Sequence, residues 1–199
     1  MIFAASTNNA KKLKEIQRIL HALGHDAKTL RELGIDIEIE ENGTTFAENA
    51  VIKAKTIAEI CHMPTISDDS GLEVDYLDGA PGVYTARYAG EGCTDDDNID
   101  KLLAALEGVE REKRTARFVS SVCLYIPREN GEDSHVVCTG RCKGWIGFER
   151  MGDGGFGYDP VFMVGDTSYS QMTAEAKDAI SHRGQALRML GEEIAKTEF

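Results

Sequence analysis

The sequence predicts an α/β protein built on a mixed sheet. The chain opens as strand, loop and helix, strands and helices alternate through its first half, and a long antiparallel hairpin enters before helices close the chain. Residues 2 to 5, IFAA, form a short apolar strand, after which Leu13, Ile16, Leu20 and Leu23 recur at helical spacing. A second helix begins at TTFAENAVIKAKTIAEIC, where Thr45 and Glu48 make a capping box and Phe46, Ala50, Ala54, Ile57 and Cys61 share one face; it ends before Pro64. Residues 65 to 67 and 72 to 75 read as strand pieces around an acidic turn, and GAPGVYTARYAGEG as a glycine-bounded stretch with a short helix. Thr94 caps another helix whose first turn holds Asp95, Asp96 and Asp97, where the helix dipole favours negative charge, with Leu102, Leu103 and Leu106 facing the core. Residues 115 to 127 alternate as a long strand, Asn130-Gly131 marks a turn, and SHVVCTGRCKGWIGFE returns. The tail gives a strand at PVFMV, a short helix at 173 to 178 and a final helix from 182 to 196.

A chain of 199 residues suits one domain or two tightly joined lobes, and 1–199 reads as a single domain. With 42% hydrophobic and 28% charged residues, and no apolar run near the roughly 18 residues of a membrane helix, the protein is expected to be soluble and away from membranes. The start MIFAASTNN lacks the pattern of a secretory signal, so the expected location is the cytoplasm. Five scattered cysteines without a CxxC pair give no disulfide framework, and the dispersed histidines give no zinc site. A formal net charge of -12 argues against nucleic acid as a partner but leaves a small anionic ligand open.

Four stretches carry candidate chemistry. STNNAKKLKE joins the first strand to the first helix, either as an anion site of backbone N–H groups with Thr7, Asn9 and Lys12, or as an Asx cap followed by a solvated lysine. MGDGGFGYDP matches the dinucleotide glycine pattern in form only, because it leads into a strand and not a helix. It is either a close approach of backbone to a ligand, with Phe156 or Tyr158 offering a ring face, or a mobile turn. SHRGQ places His182 and Arg183 at a helix start, as ligand donors or as surface caps. Asp68 and Asp69 in SDDSG, with Glu40 and Glu41 available from IEIEENG, form an all-oxygen set suited to Mg²⁺; the alternative is a solvated acidic turn.

Taken together, TNNAKKLKE, EENGTTFAENAVIKA, SDDSGLEVDYLDGAPGVYTARYAG, GGFGYDPVF and AISHRGQAL resemble the inosine triphosphate pyrophosphatases, over nearly the whole chain and in the same order. The resemblance implies an elongated mixed sheet with flanking helices and two lobes around a central nucleotide cleft, a homodimer, and a Mg²⁺-dependent hydrolysis. The substrates implied are dITP, ITP and XTP, split to the nucleoside monophosphate and pyrophosphate. It implies that Asp69 is the proton acceptor and, with Glu40, a metal ligand. It further implies that Thr7, Asn8, Asn9, Ala10, Lys11 and Lys12 form the triphosphate loop, that Lys53 is another phosphate contact and that Ser70 touches substrate. Phe156, Gly157, Tyr158 and Asp159, with Lys177, His182 and Arg183, match the nucleotide and base pocket. Asn8 and Lys11 stand where the family often has Gly or His and Gly, respectively; Asn9 and Lys12 keep the family form. Two alternatives are a related-fold pyrophosphatase for other modified nucleotides and a nucleotide sensor without turnover.

Overall fold

The computed structural model describes residues 1–7, 9–128 and 131–196. Its strands are β1 (Ile2–Ser6), β2 (Asp26–Thr29), β3 (Thr65–Val74), β4 (Thr115–Ile126), β5 (Ser134–Ile146), β6 (Phe162–Val164) and β7 (Thr167–Ser168), and its helices α1 (Ala10–Ala22), α2 (Phe46–Cys61), α3 (Asp95–Ala105), α4 (Ala174–Ile180) and α5 (His182–Ile194). The strands form one sheet in the order β2-β1-β3-β4-β5-β6-β7. It is mixed: β1 runs parallel to β2 and β3, while β6 runs antiparallel to β5 and β7. The capping boxes at Thr45/Glu48 and Thr94/Asp97 both form, so α2 and α3 start where local sequence places them. Of the predicted Asn130-Gly131 turn, Asn130 lies outside the described residues and Gly131 adopts φ 75°, in the left-handed region open to glycine.

The acidic turn is corrected. Residues 65 to 74 are one unbroken strand, with Asp68 and Asp69 in its middle. Asp-Asp-Ser-Gly is turn-like in composition, but the strand persists because each carboxylate finds a cation on its own face. The short strands β2 and β7 carry too little periodicity to be read from sequence.

The chain divides into two compact units, one formed by Met1–Asp69, Ser120–Gly140 and His182–Phe199, the other by Ser70–Val119 and Arg141–Ser181. In the first unit, Phe3, Ile16, Leu20, Ile66, Val122, Leu124 and Leu187 build the core under α1 and α5. On the other face Ala50, Ala54 and Ala58 of α2 pack on Cys123 and Tyr125, their small side chains letting the helix lie close to the sheet. That closeness puts strand hydroxyls within reach of helix carbonyls: Ser67 Oγ donates to Ala50 O at 2.5 Å and Ser6 Oγ to Lys53 O at 3.2 Å. Leu33, Ile35, Ile37 and Ile39 then line up against Ala4, Leu30 and Ile57, leading the chain along α2 although this stretch joins no sheet.

In the second unit Leu72, Ile99, Leu102, Leu106, Phe118, Phe162 and Tyr169 form a separate core. Its centre is aromatic: the Phe118 ring lies 4.5 Å from Phe162 and stacks on Tyr169 at 5.6 Å. All five cysteines are unpaired thiols, and among the described residues no helix is long and apolar enough to cross a membrane.

Within the first unit Gly140 of β5 lies against the start of α5. A Cβ there would run into the carbonyl oxygen of His182 and come within 2.7 Å of Ala186 N, both backbone atoms that cannot swing aside. Gly140→Ala is therefore expected to lower stability by about 1–3 kcal/mol, the usual cost of overpacking. A fall in the urea midpoint checks this, and an unchanged midpoint would contradict the close seating of α5 on β5.

Candidate functional site

Successive residues of a strand point to opposite faces, and this separates the two adjacent aspartates. Ser67 and Asp69 face α2, while Ile66 and Asp68 face α1 and α5. Asp69 Oδ1 accepts from Lys53 Nζ at 2.9 Å, and the same ammonium lies 3.2 Å from Glu41 Oε1. Among the described residues Asp69 takes no other side-chain hydrogen bond, so its Oδ2 is uncommitted. Burial pushes the Asp69 carboxyl up, the Lys53 charge and hydrogen bond pull it back, and Glu41 adds to a net rise. Lys53 moves up as well: burial lowers it, but Asp69 and Glu41 together outweigh burial.

Asp68 is entirely buried. Its Oδ2 lies 3.2 Å from both Lys12 Nζ and Arg183 Nη2, and its Oδ1 accepts from Ser120 Oγ at 2.5 Å. Burial alone would raise this carboxyl, but Arg183 first, then Lys12, Ser120 and Lys53, hold it well below the usual carboxylate range. Arg183 Nη1 donates to Glu15 Oε2, so the guanidinium joins α1, β3 and α5. Burial lowers Arg183 and the two carboxylates more than reverse it. Lys12 and Glu15 stand three positions apart on α1, which places both on the face toward this network.

The loop before α1 is an Asx cap. Asn9 Oδ1 accepts from the N–H groups of Lys11 and Lys12 at 3.0 and 3.1 Å, and Thr7 Oγ1 accepts from Asn9 N at 3.2 Å. Lys12 is not a solvated lysine, because it is paired to Asp68. Ala10 and Lys11 open the helix and are exposed, and Asn8 lies outside the described residues.

Glu40 is exposed, on a segment anchored at its end by Gly43 N donating to Asn49 Oδ1 at 2.8 Å. Its neighbour Glu41 is the one that closes on Lys53. His182 is buried at the head of α5 beside Arg183.

The second unit holds the remaining candidates. Ser70 follows Asp69 directly on β3 and is half-buried. Asp159 is buried; its Oδ2 accepts from Phe156 N at 2.9 Å and from Lys177 Nζ at 2.6 Å. The Lys177 ammonium also sits 4.9 Å from the centre of the Phe156 ring. Gly157 N donates to Asp95 Oδ2 at 2.8 Å. Tyr158 is buried with its hydroxyl on Thr85 O at 2.9 Å, so of the two aromatic rings of this loop Phe156 is the one left partly accessible.

The donor set around Asp69 is compatible with a magnesium ion. No group of three or more His, Cys, Asp or Glu side chains is poised to hold a metal among the described residues. Mg²⁺ does not need one, since it commonly takes one or two carboxylates and completes its shell with water and substrate phosphate. Asp69 offers a carboxylate oxygen that accepts no hydrogen bond among the described residues, and Glu41, which shares Lys53 with it, brings the acidic 40–41 segment to the same ammonium.

The partners of four residues escape reading by sequence alone. Glu15 is visible as the last residue of TNNAKKLKE, but its partner Arg183 is 168 positions away. Asp68 and Asp69 are both visible, and only the period of two tells them apart. Asp95 looks like a helix-start acid, and nothing local links it to Gly157.

A model of the Ham1 family matches residues 2–193. A dITP/XTP pyrophosphatase of Bacillus subtilis is 46% identical over 187 residues, 93% of this chain and 92% of that protein. A dITP/XTP pyrophosphatase of Methylococcus capsulatus is 47% identical over 192 residues, 95% of this chain and 94% of that protein. A solved HAM1 protein from Coxiella burnetii gives a TM-score of 0.87 at 38% identity, covering 99% of this chain and all 100% of the other. A solved nucleoside-triphosphatase / dITP/XTP pyrophosphatase from Mycobacterium abscessus gives 0.74 at 40% identity over 96% and 98% of the two chains.

Removing the Asp68 carboxylate would leave Lys12 and the fully buried Arg183 short of a counter-charge. Asp68→Ala is expected to lower stability by about 3–5 kcal/mol, as for one partner taken from a buried pair. Urea unfolding measures it, and a loss below about 1 kcal/mol, typical of a surface pair, would contradict the burial described.

Proposed function

The chain belongs to the Ham1 family, and we propose that it hydrolyses deaminated purine nucleoside triphosphates, dITP, ITP and XTP, to the monophosphate and pyrophosphate. The observation that carries the catalytic assignment is the division of the acidic pair. Asp68 is saturated by two cations and a hydroxyl, whereas Asp69 keeps an oxygen uncommitted at the same level of the strand.

In this reading Asp69 accepts the proton of a water that attacks the α-phosphorus. The bond from that phosphorus to the bridging oxygen breaks, and pyrophosphate leaves with the electron pair. Lys53, held between Asp69 and Glu41, keeps the carboxylate oriented and presents a cation to the phosphates. Lys12 and the Thr7–Lys12 loop orient the triphosphate at the head of α1. Asp69 and Glu40 would hold Mg²⁺, which when bound neutralises charge on the phosphate oxygens.

Phe156 offers its ring to the purine. Hydrogen-bond donors that meet a 6-oxo group would discriminate against adenine, whose 6-amino group is itself a donor and leaves them unpaired at about 1–3 kcal/mol per buried group. Arg183 acts mainly by holding Asp68, since its two terminal nitrogens already lie on carboxylates. The homodimer and the cytoplasmic location belong to the same proposal, and the homodimer rests on the family resemblance.

Asp69→Asn is expected to lower kcat by roughly 10² to 10⁴, the worth of a positioned acid or base, with the melting temperature kept; near-full activity would sink the assignment. Products from dITP, XTP, dGTP and dATP test the reaction itself. Monophosphate with pyrophosphate from dITP and XTP, little turnover of dGTP and dATP, and loss of activity with chelator that Mg²⁺ restores are expected. Orthophosphate as product, or binding without turnover, would favour the alternatives.

A further inference from the structure

The acidic first turn of α3 reads from sequence as a capped, solvated helix start, but its aspartates do different things. Asp97 closes the capping box with Thr94. Asp96 lies 3.4 Å from Arg150 Nε and Asp100, one turn on, lies 2.8 Å from Arg150 Nη2. Asp95 Oδ2 accepts the N–H of Gly157 at 2.8 Å. Arg150 and Gly157 flank the glycine-rich stretch 151–156, so the helix grips that loop at both ends.

Phe156 lies at the tightest part of this grip. Its own N–H, part of the preceding peptide plane, is held by Asp159, which is buried and backed by Lys177. The next N–H, part of the following peptide plane, is held by Asp95. With both flanking planes tied to carboxylates, the φ and ψ of Phe156 are set, and so is the direction of its Cα–Cβ bond, which limits where the ring can lie. The Asp159 contact is partly buried, and the Asp95 contact is exposed.

We propose that Asp95 is a positioning residue for base recognition: by fixing the Gly157 amide it holds the Phe156 ring in the orientation that receives the purine. This rests on Phe156 being the base platform. An ordered platform spares the substrate the entropy of arranging it, and that saving applies equally to bound substrate and transition state. The signature is therefore a change in KM without a matching change in kcat.

The test is steady-state kinetics with dITP on D95A, D95N, F156A and the D95A/F156A double variant, with melting temperatures alongside. D95A is expected to raise KM by about 3- to 10-fold with kcat within about twofold and an essentially unchanged melting temperature, because Asp95 is exposed. D95N, whose carboxamide oxygen accepts the same N–H, restores most of the wild-type KM. F156A raises KM by itself, and adding D95A to it raises KM no further, since the two act through one ring. If F156A raises KM and D95A does not, the Asp95 proposal is overturned while the platform stands. If F156A leaves KM unchanged, the platform reading fails and the Asp95 proposal with it. D95N as impaired as D95A, or additive effects in the double variant, would equally overturn the positioning role.

Discussion

A fully buried carboxylate is tolerable only with compensating charge and hydrogen bonds, and the first unit is arranged around one. Asp68 is met by Lys12 from α1, Arg183 from α5 and Ser120 from β4, with Glu15 balancing Arg183 from behind. Four elements distant in sequence are thereby brought to one point. Such a network is poor evidence for net stability, because desolvation cancels much of the attraction. Its value here is registry: β3 cannot slip by one residue without turning Asp68 to the α2 face and losing both cations.

The same registry fixes Asp69. Placed on the opposite face, it meets α2, whose alanine stripe lets the helix approach closely enough for Lys53 to reach the strand. Adjacent acids thus receive unlike environments from one backbone geometry, the first saturated and the second partly open. This separation of roles is how two chemically identical carboxyls come to do different work.

What the sequence disclosed followed the range of the interaction. The caps at Thr45 and Thr94, the long strands and the closing helices depend on residues within a few positions of each other, and all are found close to their expected bounds. The acidic pair was legible as a site but not as a strand, because turn-like composition dominates local reading when the partners that sustain the strand are 52 and 115 positions away. That Asn9 caps its helix is decided locally. That Lys12 is paired, and to which aspartate, is not decided locally at all. The three aspartates in the first turn of α3 show the limit most plainly: one is a local cap, and the other two serve a loop more than fifty positions on.

The charges around β3 also bear on how an anionic substrate would be received. Lys12, Lys53 and Arg183 are each already matched to carboxylates, namely Asp68, Asp69, Glu41 and Glu15. Four acids against three cations leave this cluster slightly negative before any phosphate arrives, in a protein whose net charge is already -12. A triphosphate would therefore not be drawn in by spare lysines; it would have to compete with fixed carboxylates for each of them. A divalent cation shared between Asp69 and the phosphates would reverse that sign locally, turning the uncommitted carboxylate oxygen from a source of repulsion into a point of attachment. On this argument the charge arrangement of the chain is one that a divalent cation would relieve.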